Sequence, residues 1–231
     1  MSDQNTITLV LPVYKPSIDW VEYTLSKLRE LEAASGSNVN LIVVNDGSED
    51  RVPFDLLKEK HSNVIIHHLL RNAGKGAALR AGFSRCETDT MLFTDADFPY
   101  EVESMASLIH TLSNGADVVL GYREEDYYAS VPWFRRILSE AFRFVLKSIL
   151  RFPITDTQCG IKGMNQKGKE IFLRTKINRF LVDMEFIKMA VNSNCQIDSC
   201  VVHLRNDVQF SKMGLGVLIP ESLNFIRILL K

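Results

Sequence analysis

The chain has 231 residues, of which 46% are hydrophobic, and a formal net charge of −1 at pH 7. This length fits one large α/β domain or a domain with an appendage, and a charge so close to zero gives no electrostatic case for a nucleic-acid partner. The polar N-terminus lacks the regions of a signal peptide, and no run of about 18 uncharged apolar residues predicts a spanning helix. The four cysteines form no CxxC pair, which favours a reducing compartment, and we expect a cytoplasmic protein.

Short apolar runs alternate with amphipathic segments through the first half of the chain. Strands are predicted at residues 7–13, 39–44, 64–68, 91–94 and 117–121, and helices at 20–31, 54–60, 75–85 and 100–112. Continuous apolar strands alternating with helices are typical of a mostly parallel sheet that is covered on both faces. After residue 121 the alternation stops. There the sequence predicts a mobile loop at 124–130, a long helix at 132–152 and a late strand at 196–204.

The predicted strand at residues 91–94 runs into two carboxylates that are separated by one residue, Asp95 and Asp97. In an open α/β sheet, ligands bind beyond the carboxyl ends of the strands. Two carboxylates placed there lose hydration and repel each other, and a divalent cation would offset both costs. Mg²⁺ or Mn²⁺ is typically held by one or two carboxylates together with substrate phosphates. The alternative is a helix N-cap, because Asp is favoured before a residue such as Pro99 in a first helical turn. That alternative accounts for Asp97 and leaves Asp95 unexplained.

Three other predicted strands also end in residues that are suited to binding. Tyr14 follows the first strand, where its ring either stacks on a base or lies at an edge of the fold. Asp46 follows the second strand and either accepts hydrogen bonds from a base or ribose, or satisfies its own turn. The third strand leads to residues 71–78, where glycines flank Lys75 at a helix start and predict free backbone N–H groups for a diphosphate. This is not a Walker A loop, because Gly76 stands where Ser or Thr would bind Mg²⁺.

Taken in order, these segments resemble the family 2 glycosyltransferases of the GT-A fold, and within that family the polyprenyl-phosphate sugar synthases. The resembling segments are Leu11-Pro12-Val13-Tyr14, Val43-Val44-Asn45-Asp46-Gly47-Ser48, Asn72-Ala73-Gly74-Lys75-Gly76, Asp95-Ala96-Asp97 and Asp156-Thr157-Gln158-Cys159-Gly160-Ile161-Lys162. Asp183-Met184-Glu185-Phe186 is similar to the segment that follows the family's acceptor loop. The resemblance implies an α/β GT-A fold, a Rossmann-like mostly parallel sheet flanked by helices, with acceptor-side helices towards the C-terminus. It also implies inverting transfer of a sugar from a GDP- or UDP-sugar to a polyprenyl (dolichyl or undecaprenyl) phosphate.

By this resemblance, residues 1–231 form a single domain whose first part, about 1–121, binds the nucleotide sugar. The residues that it implies for donor binding are Pro12, Tyr14, Asp46, Arg71 and Lys75. Asp95 and Asp97 would flank the donor diphosphate, and Asp97 would bind Mg²⁺ or Mn²⁺ directly and act as a catalytic residue.

The second part, about residues 122–231, is implied to bind the acceptor. A lipid phosphate is already an anion near neutral pH and needs no general base, whereas a hydroxyl acceptor would need one, for which Asp156 is the candidate. Alternatively, Asp156 braces the turn before Gly160. Arg205 and Lys212 resemble the family's Arg…Ser-Lys segment, although the spacing is slightly stretched. By this resemblance, Arg205 is a candidate substrate-binding residue and Lys212 is a candidate catalytic residue.

A basic stripe beside a broad apolar face marks residues 132–152, which is the pattern of an interfacial helix, and residues 215–230 are also strongly apolar. The alternative is that both segments pack on the sheet or in a homodimer. Docking at the cytosolic face of a membrane, directly or through a small membrane partner, would bring the chain to a lipid-embedded phosphate. The candidate phosphate contacts are Arg135, Arg136 and Lys212. Two other functions stay open: transfer to a hydroxyl on a glycan or lipid, and a catalytically silent nucleotide-sugar-binding subunit.

Overall fold

The computed structural model of the chain describes residues 5–48, 53–123, 156–157, 159–205, 224–225 and 228. The strands are β1 (Thr6–Val13), β2 (Asn38–Asn45), β3 (Val64–His68), β4 (Thr90–Phe93), β5 (Val118–Tyr122), β6 (Lys162–Met164) and β7 (Ile197–Val201). The helices are α1 (Trp20–Ser35), α2 (Asp55–Lys60), α3 (Lys75–Phe83), α4 (Val102–Ser113), α5 (Gln166–Leu173) and α6 (Val182–Asn192).

The seven strands form one sheet in the order β3-β2-β1-β4-β6-β5-β7. Strand β1 pairs in parallel with β2 and β4, β2 pairs in parallel with β3, and β5 pairs in parallel with β7. Strand β6 runs antiparallel between β4 and β5. The predicted mostly parallel sheet flanked by helices is therefore confirmed. Strand β6 was not predicted, because Lys162-Gly163-Met164 has neither the length nor the apolar run of a typical strand.

Side chains of successive residues in β1 point to opposite faces of the sheet, and each face carries its own apolar core. Leu9 and Leu11 belong to the core that is shared with α1, α2 and α4, and Val10 belongs to the core that is shared with α3, α5 and α6. Helix α3 lies close to β1, since a Cβ on Gly82 would stand 2.4 Å from the Cγ1 of Val10. This contact packs α3 against the sheet, and the first residue of the helix, Lys75, is part of the site described below.

Several predictions fall outside the described residues: the loop at 124–130, the helix at 132–152, the apolar segment at 215–230, and the candidate residues Arg135, Arg136 and Lys212. Within the described ranges, no helix has the length and apolar character that crossing a membrane requires.

Candidate functional site

The carboxyl ends of the parallel strands lie at one edge of the sheet, and the antiparallel strand β6 begins at that same edge. Asp46 directly follows β2, Arg123 directly follows β5, and Lys162 opens β6. Residues 95–98, which follow β4 and are called the carboxylate turn below, carry Asp95 and Asp97. The topology therefore brings charged residues from distant parts of the sequence to one edge, where open α/β sheets bind ligands.

Asp46 joins the loop after β2 to the loop after β3. Its side chain is 4% exposed, and its carboxylate accepts hydrogen bonds from the backbone N–H groups of Ala73 at 2.7 Å and Gly74 at 2.9 Å. Gly47, at φ 76°, lets the two loops meet, because a Cβ there would stand 2.4 Å from the carbonyl carbon of Arg71. Asp46 thus satisfies the neighbouring loop rather than its own turn, and its nucleoside-binding role stays a prediction.

The start of helix α3 is covered by the loop between α5 and α6. The backbone N–H groups of Gly76 and Ala77 donate to the carbonyl oxygen of Asn178, at 2.8 and 3.3 Å. A Cβ on Gly74 would stand 2.5 Å from that oxygen, and a Cβ on Gly76 would stand 2.3 Å from the carbonyl oxygen of Ile177. The prediction of free N–H groups for a diphosphate is wrong for these two residues and for the two that bond to Asp46. The glycines instead permit close contact between loops.

Lys75 is held between two carboxylates. Its Nζ lies 2.8 Å from Oδ1 of Asp95 and 3.5 Å from Oδ2 of Asp183. The Nζ of Lys162 lies 3.3 Å from Oδ1 of Asp183 and donates to the carbonyl oxygen of Cys159 at 2.7 Å. Burial acts to lower the pKa of Lys75, but the charges of Asp183 and Asp95 outweigh it and raise the pKa above its ordinary value. The Lys75 ammonium therefore stays charged and is already partnered on the protein.

Side chains from two distant elements hold the backbone of the carboxylate turn. The indole Nε1 of Trp20, at the start of α1, donates to the carbonyl of Ala96 at 2.8 Å. The guanidinium of Arg205 donates to the carbonyls of Phe98 at 2.8 Å and Asp97 at 3.3 Å. The guanidinium of Arg205 thus bonds to the backbone of the turn, and its predicted substrate-binding role stays a prediction. Phe98 is buried at φ 45°, so the turn is kept in a conformation that non-glycine residues rarely adopt.

The two carboxylates of the turn suit a divalent cation. Asp97 is exposed to solvent on one side, but the protein atoms around it and the charge of Asp95 raise the pKa of Asp97 above its ordinary value. A cation that binds the ionised carboxylate would relieve this cost, and oxygen donors suit Mg²⁺ and Mn²⁺. No group of three or more His, Cys, Asp or Glu side chains in the described ranges could hold a metal ion by itself. The donor set therefore fits a cation whose coordination is completed by substrate phosphates and water.

Arg123 and Asp156 form an ion pair whose side chains are 15% and 8% exposed. The backbone N and the Nε of Arg123 donate to Oδ2 of Asp156 at 3.0 and 2.8 Å, and a terminal guanidinium nitrogen donates to Oδ1 at 2.8 Å. Burial acts to lower the pKa of Arg123, but hydrogen bonds to Asp156 outweigh it and raise the pKa. Both oxygens of Asp156 are thus occupied by a permanent cation. Sequence reasoning missed Arg123, although its place two residues after the predicted strand at 117–121 was a usable signal.

The remaining predicted donor residues lie at the same edge. Tyr14 is 48% exposed, with the Nζ of Lys15 5.3 Å from the centre of its ring. Lys15, at φ 49°, donates its backbone N–H to Oγ of Ser48 at 2.7 Å, which links the loops after β1 and β2. Pro12 is half-buried within β1, and Arg71 is exposed after β3. The roles of Pro12, Tyr14 and Arg71 stay predictions.

Two curated proteins illustrate the relatives of this chain. A dolichyl-phosphate beta-glucosyltransferase of Trichomonas vaginalis is 27% identical over 199 residues, which cover 81% of this chain and 61% of that protein. The dolichyl-phosphate beta-glucosyltransferase of Drosophila melanogaster is 29% identical over 204 residues, which cover 80% of this chain and 63% of that protein. The chain therefore spans less than two thirds of the length of these two relatives.

A solved structure agrees with the predicted GT-A fold. The glucosyl-3-phosphoglycerate synthase from Mycobacterium tuberculosis, in complex with Mn²⁺, uridine diphosphate and glucosyl-3-phosphoglycerate, superposes with a TM-score of 0.68 at 18% identity. The match covers 98% of this chain and 79% of that chain, and at this identity it shows the fold alone. Residues 8–172, well over half of the chain, match the family model described as glycosyl transferase family 2. The chain belongs to glycosyl transferase family 2.

Proposed function

We propose that this chain is an inverting glycosyltransferase that moves a sugar from a nucleoside-diphosphate sugar to a polyprenyl phosphate. Three observations support the proposal: membership of family 2, the dolichyl-phosphate acceptor in the names of its relatives, and the carboxylate turn at the ligand-binding edge of the sheet. The activity of the whole protein is part of this proposal, because the chain spans only part of the length of those relatives.

On the donor side, Asp97 would bind Mg²⁺ or Mn²⁺ directly and Asp95 would support it from its contact with Lys75. When bound, a divalent cation stabilises the negative charge on the leaving diphosphate. The Mycobacterium tuberculosis structure contains Mn²⁺ and uridine diphosphate, which supports this cofactor class for the fold. Tyr14 and Pro12 would hold the nucleoside beside the turn, and the choice between UDP and GDP is left to the experiment below.

The proposed reaction is a displacement at the anomeric carbon of the sugar. An oxygen of the acceptor phosphate forms the new bond to that carbon while the bond from the carbon to the diphosphate oxygen breaks, and the electron pair leaves with the nucleoside diphosphate. The acceptor phosphate is already anionic, since its second pKa is about 6, so no proton has to be removed before attack. The chain's own task is to orient the two phosphates and the sugar in line.

The Arg123–Asp156 ion pair is the observation that favours a phosphate acceptor over a hydroxyl. A hydroxyl acceptor needs a base with a free oxygen within hydrogen-bond reach. Both oxygens of Asp156 accept hydrogen bonds from Arg123. Asp156 is therefore better suited to bracing Arg123 at the site edge than to taking a proton from a hydroxyl.

A direct assay tests the reaction. Purified protein with Mn²⁺ is given radiolabelled UDP-glucose or GDP-mannose together with a polyprenyl phosphate or the free polyprenol of the same chain length. We expect label in the lipid only with the phosphate acceptor, together with one released nucleoside diphosphate per transfer. Transfer to the polyprenol alone would overturn the phosphate acceptor, and nucleotide binding without transfer or hydrolysis would favour a silent binding subunit.

The Asp156→Asn variant separates the two acceptor classes further. If Asp156 were a general base, its loss would slow transfer about 10²–10⁴-fold. We expect the transfer rate of the variant, per folded molecule, to fall by less than about tenfold. The rate of the wild-type protein should follow ionisation of the acceptor phosphate at about pH 6. A folded variant with no activity would favour the hydroxyl acceptor.

Membrane docking through residues 132–152 and 215–230 is a separate part of the proposal. Each basic residue near an anionic surface contributes about 1 kcal/mol, so the basic stripe should give salt-sensitive binding. Co-sedimentation with anionic vesicles at low and high salt tests this. Protein that stays in the supernatant at low salt would instead indicate a membrane partner or a homodimer that covers these segments.

A further inference from the structure

Four side chains of alternating charge form a continuous row from the carboxylate turn to the start of β6. The row, called the charged row below, is Asp95, Lys75, Asp183 and Lys162, with nitrogen–oxygen distances of 2.8, 3.5 and 3.3 Å between successive members. It ends where Lys162 donates to the carbonyl of Cys159 at 2.7 Å. The exposed fractions of the Lys75, Asp183 and Lys162 side chains are 9, 4 and 0%, whereas that of Asp95 is 41%. Only the Asp95 end of the row is open to a ligand.

Burying three charged side chains is costly, and an apolar set of the same size often gives equal or greater stability. The row nevertheless lies directly over the apolar core, with the Nζ atoms of Lys75 and Lys162 at 5.5 and 5.6 Å from the centre of the Phe93 ring. A contribution to stability therefore explains the row poorly. The geometry of the row points instead to a positional role, in which the row keeps its two end residues, Asp95 and Lys162, in fixed places.

Both ends of the row converge on the same small contact. A Cβ on Gly160 would stand 2.2 Å from Oδ2 of Asp95, so the backbone at Gly160 packs directly against the carboxylate. The N–H of Gly160 donates to the hydroxyl oxygen of Tyr100 at 2.9 Å, and its neighbour Cys159 receives the hydrogen bond from Lys162. The row thus clamps the donor-side carboxylate turn against the turn that follows Asp156.

We propose that Asp183 and Lys162 are positioning residues, which through Lys75 and Cys159 hold Asp95 against Gly160 and so fix the carboxylate turn relative to the acceptor-side turn. Neither residue has enough exposed surface to touch a substrate. Their effect on the reaction passes through Asp95. This inference rests on the proposed function, because it assigns a task to residues behind the proposed donor site.

The test compares three variants with a matched control. Asp183→Asn and Lys162→Met each remove one charge of the row, and the double variant removes both, which leaves no unpaired charge between them. Asp117→Asn is the control, because Asp117 is also a largely buried acid in an ion pair, with Lys167 at 2.6 Å, but lies at the opposite edge of the sheet. Calorimetry measures binding of UDP and GDP with Mn²⁺, and steady-state assays separate kcat from KM.

In the folded row variants we expect Mn²⁺-dependent diphosphate affinity or kcat to fall about 10–100-fold, as is usual for residues that support a metal ligand from behind. The control should bind and react within about twofold of wild type, even though it loses stability. The double variant should still show the loss. Wild-type affinity and kcat in the folded double variant would overturn the proposal. So would failure of all three row variants to fold while the control folds, since the row would then serve stability alone.

A readout without nucleotide keeps this inference separate from the proposed function. The chain has two tryptophans, and Trp20 donates to Ala96 within the carboxylate turn. In a Trp133→Phe background, the emission of Trp20 should change when Asp183→Asn is added and stay unchanged when Asp117→Asn is added. If wild-type protein binds neither UDP nor GDP, the proposed function fails, and the Trp20 emission still decides whether the row positions the turn. Identical emission in both variants counts against the row.

Discussion

Replacing Asp46 by Asn distinguishes a residue that binds substrate from one that organises the site. The Asp46 carboxylate accepts hydrogen bonds from Ala73 and Gly74 at 2.7 and 2.9 Å, in a position that is 4% exposed. A hydrogen bond to a charged group contributes about 1.5–3 kcal/mol, and an amide oxygen can replace one of the two at about 1 kcal/mol. The amide NH₂ would then face the remaining N–H group. We expect the free energy of unfolding to fall by about 2–5 kcal/mol, which corresponds to about 4–20 °C in Tm for a chain of this size.

Urea denaturation measures the loss directly. The control is Asp55→Asn, because Asp55 is 89% exposed and pairs with Lys58 at 3.5 Å, so its loss should change stability by less than about 0.5 kcal/mol. If Asp46→Asn is as stable as wild type and loses only nucleotide binding, Asp46 contacts the nucleoside directly and the structural role is refuted. If stability and nucleotide binding fall together, the carboxylate acts by holding the loop that precedes Lys75.

Three further outcomes are expected. Asp97→Ala should abolish Mn²⁺-dependent binding of nucleoside diphosphates in calorimetry. The free energy of unfolding should change by less than about 0.5 kcal/mol, because Asp97 is exposed. Retained affinity would rule out Asp97 as the metal ligand. Burial acts to raise the pKa of Asp117, but hydrogen bonds, of which that from Lys167 is the largest, outweigh burial and lower the pKa. The ionised form of Asp117 therefore stabilises the fold at pH values above the unfolded-state pKa of about 3.9. Denaturation should therefore show that Asp117→Asn is about 1–3 kcal/mol less stable near neutral pH and that this gap closes as the pH falls through the lowered folded pKa; a gap that persists in strong acid would contradict the argument. Burial raises the pKa of Cys86 to about 12 and that of Cys159 to about 11. Iodoacetamide at about pH 8 should therefore leave both thiols unmodified in the native protein, because the thiolate is the reactive form. Mass spectrometry that finds Cys159 modified in folded protein would contradict this prediction.

Local sequence patterns were enough to predict most of the sheet. The apolar runs at residues 7–13, 39–44, 64–68 and 91–94 correspond to β1, β2, β3 and β4 within one residue at each end. Strands β1, β2 and β4 are mostly buried, so their apolar character is continuous and easily recognised, whereas the edge strand β3 is only partly buried. Strand β6 escaped prediction because it is short and opens with Lys162, a buried cation whose partner Asp183 is visible only once the chain is folded.

The sequence singled out several residues of the candidate site, but not the contacts between them. Asp95 and Lys75 were both singled out, but nothing in the sequence relates Lys75 to Asp183, which pairs with it from helix α6. The same holds for Asp46, whose partners lie 27 and 28 positions further along the chain. Sequence patterns report periodicity and local turns, whereas these ion pairs depend on which strands become neighbours. Arg123 needed only a rule about strand ends and was overlooked because the predicted strand ended at residue 121, whereas β5 ends at Tyr122.

The antiparallel strand β6 pairs with β5, the strand that precedes it in the sequence. Arg123, which directly follows β5, forms an ion pair with Asp156, which precedes β6. Residues 124–155 are therefore anchored at both ends, and the entropic cost of closing such a segment rises by only about 0.6 kcal/mol when its length doubles. We therefore expect a change in the number of residues between Arg123 and Asp156 to have only a small effect on the pairing of β5 with β6.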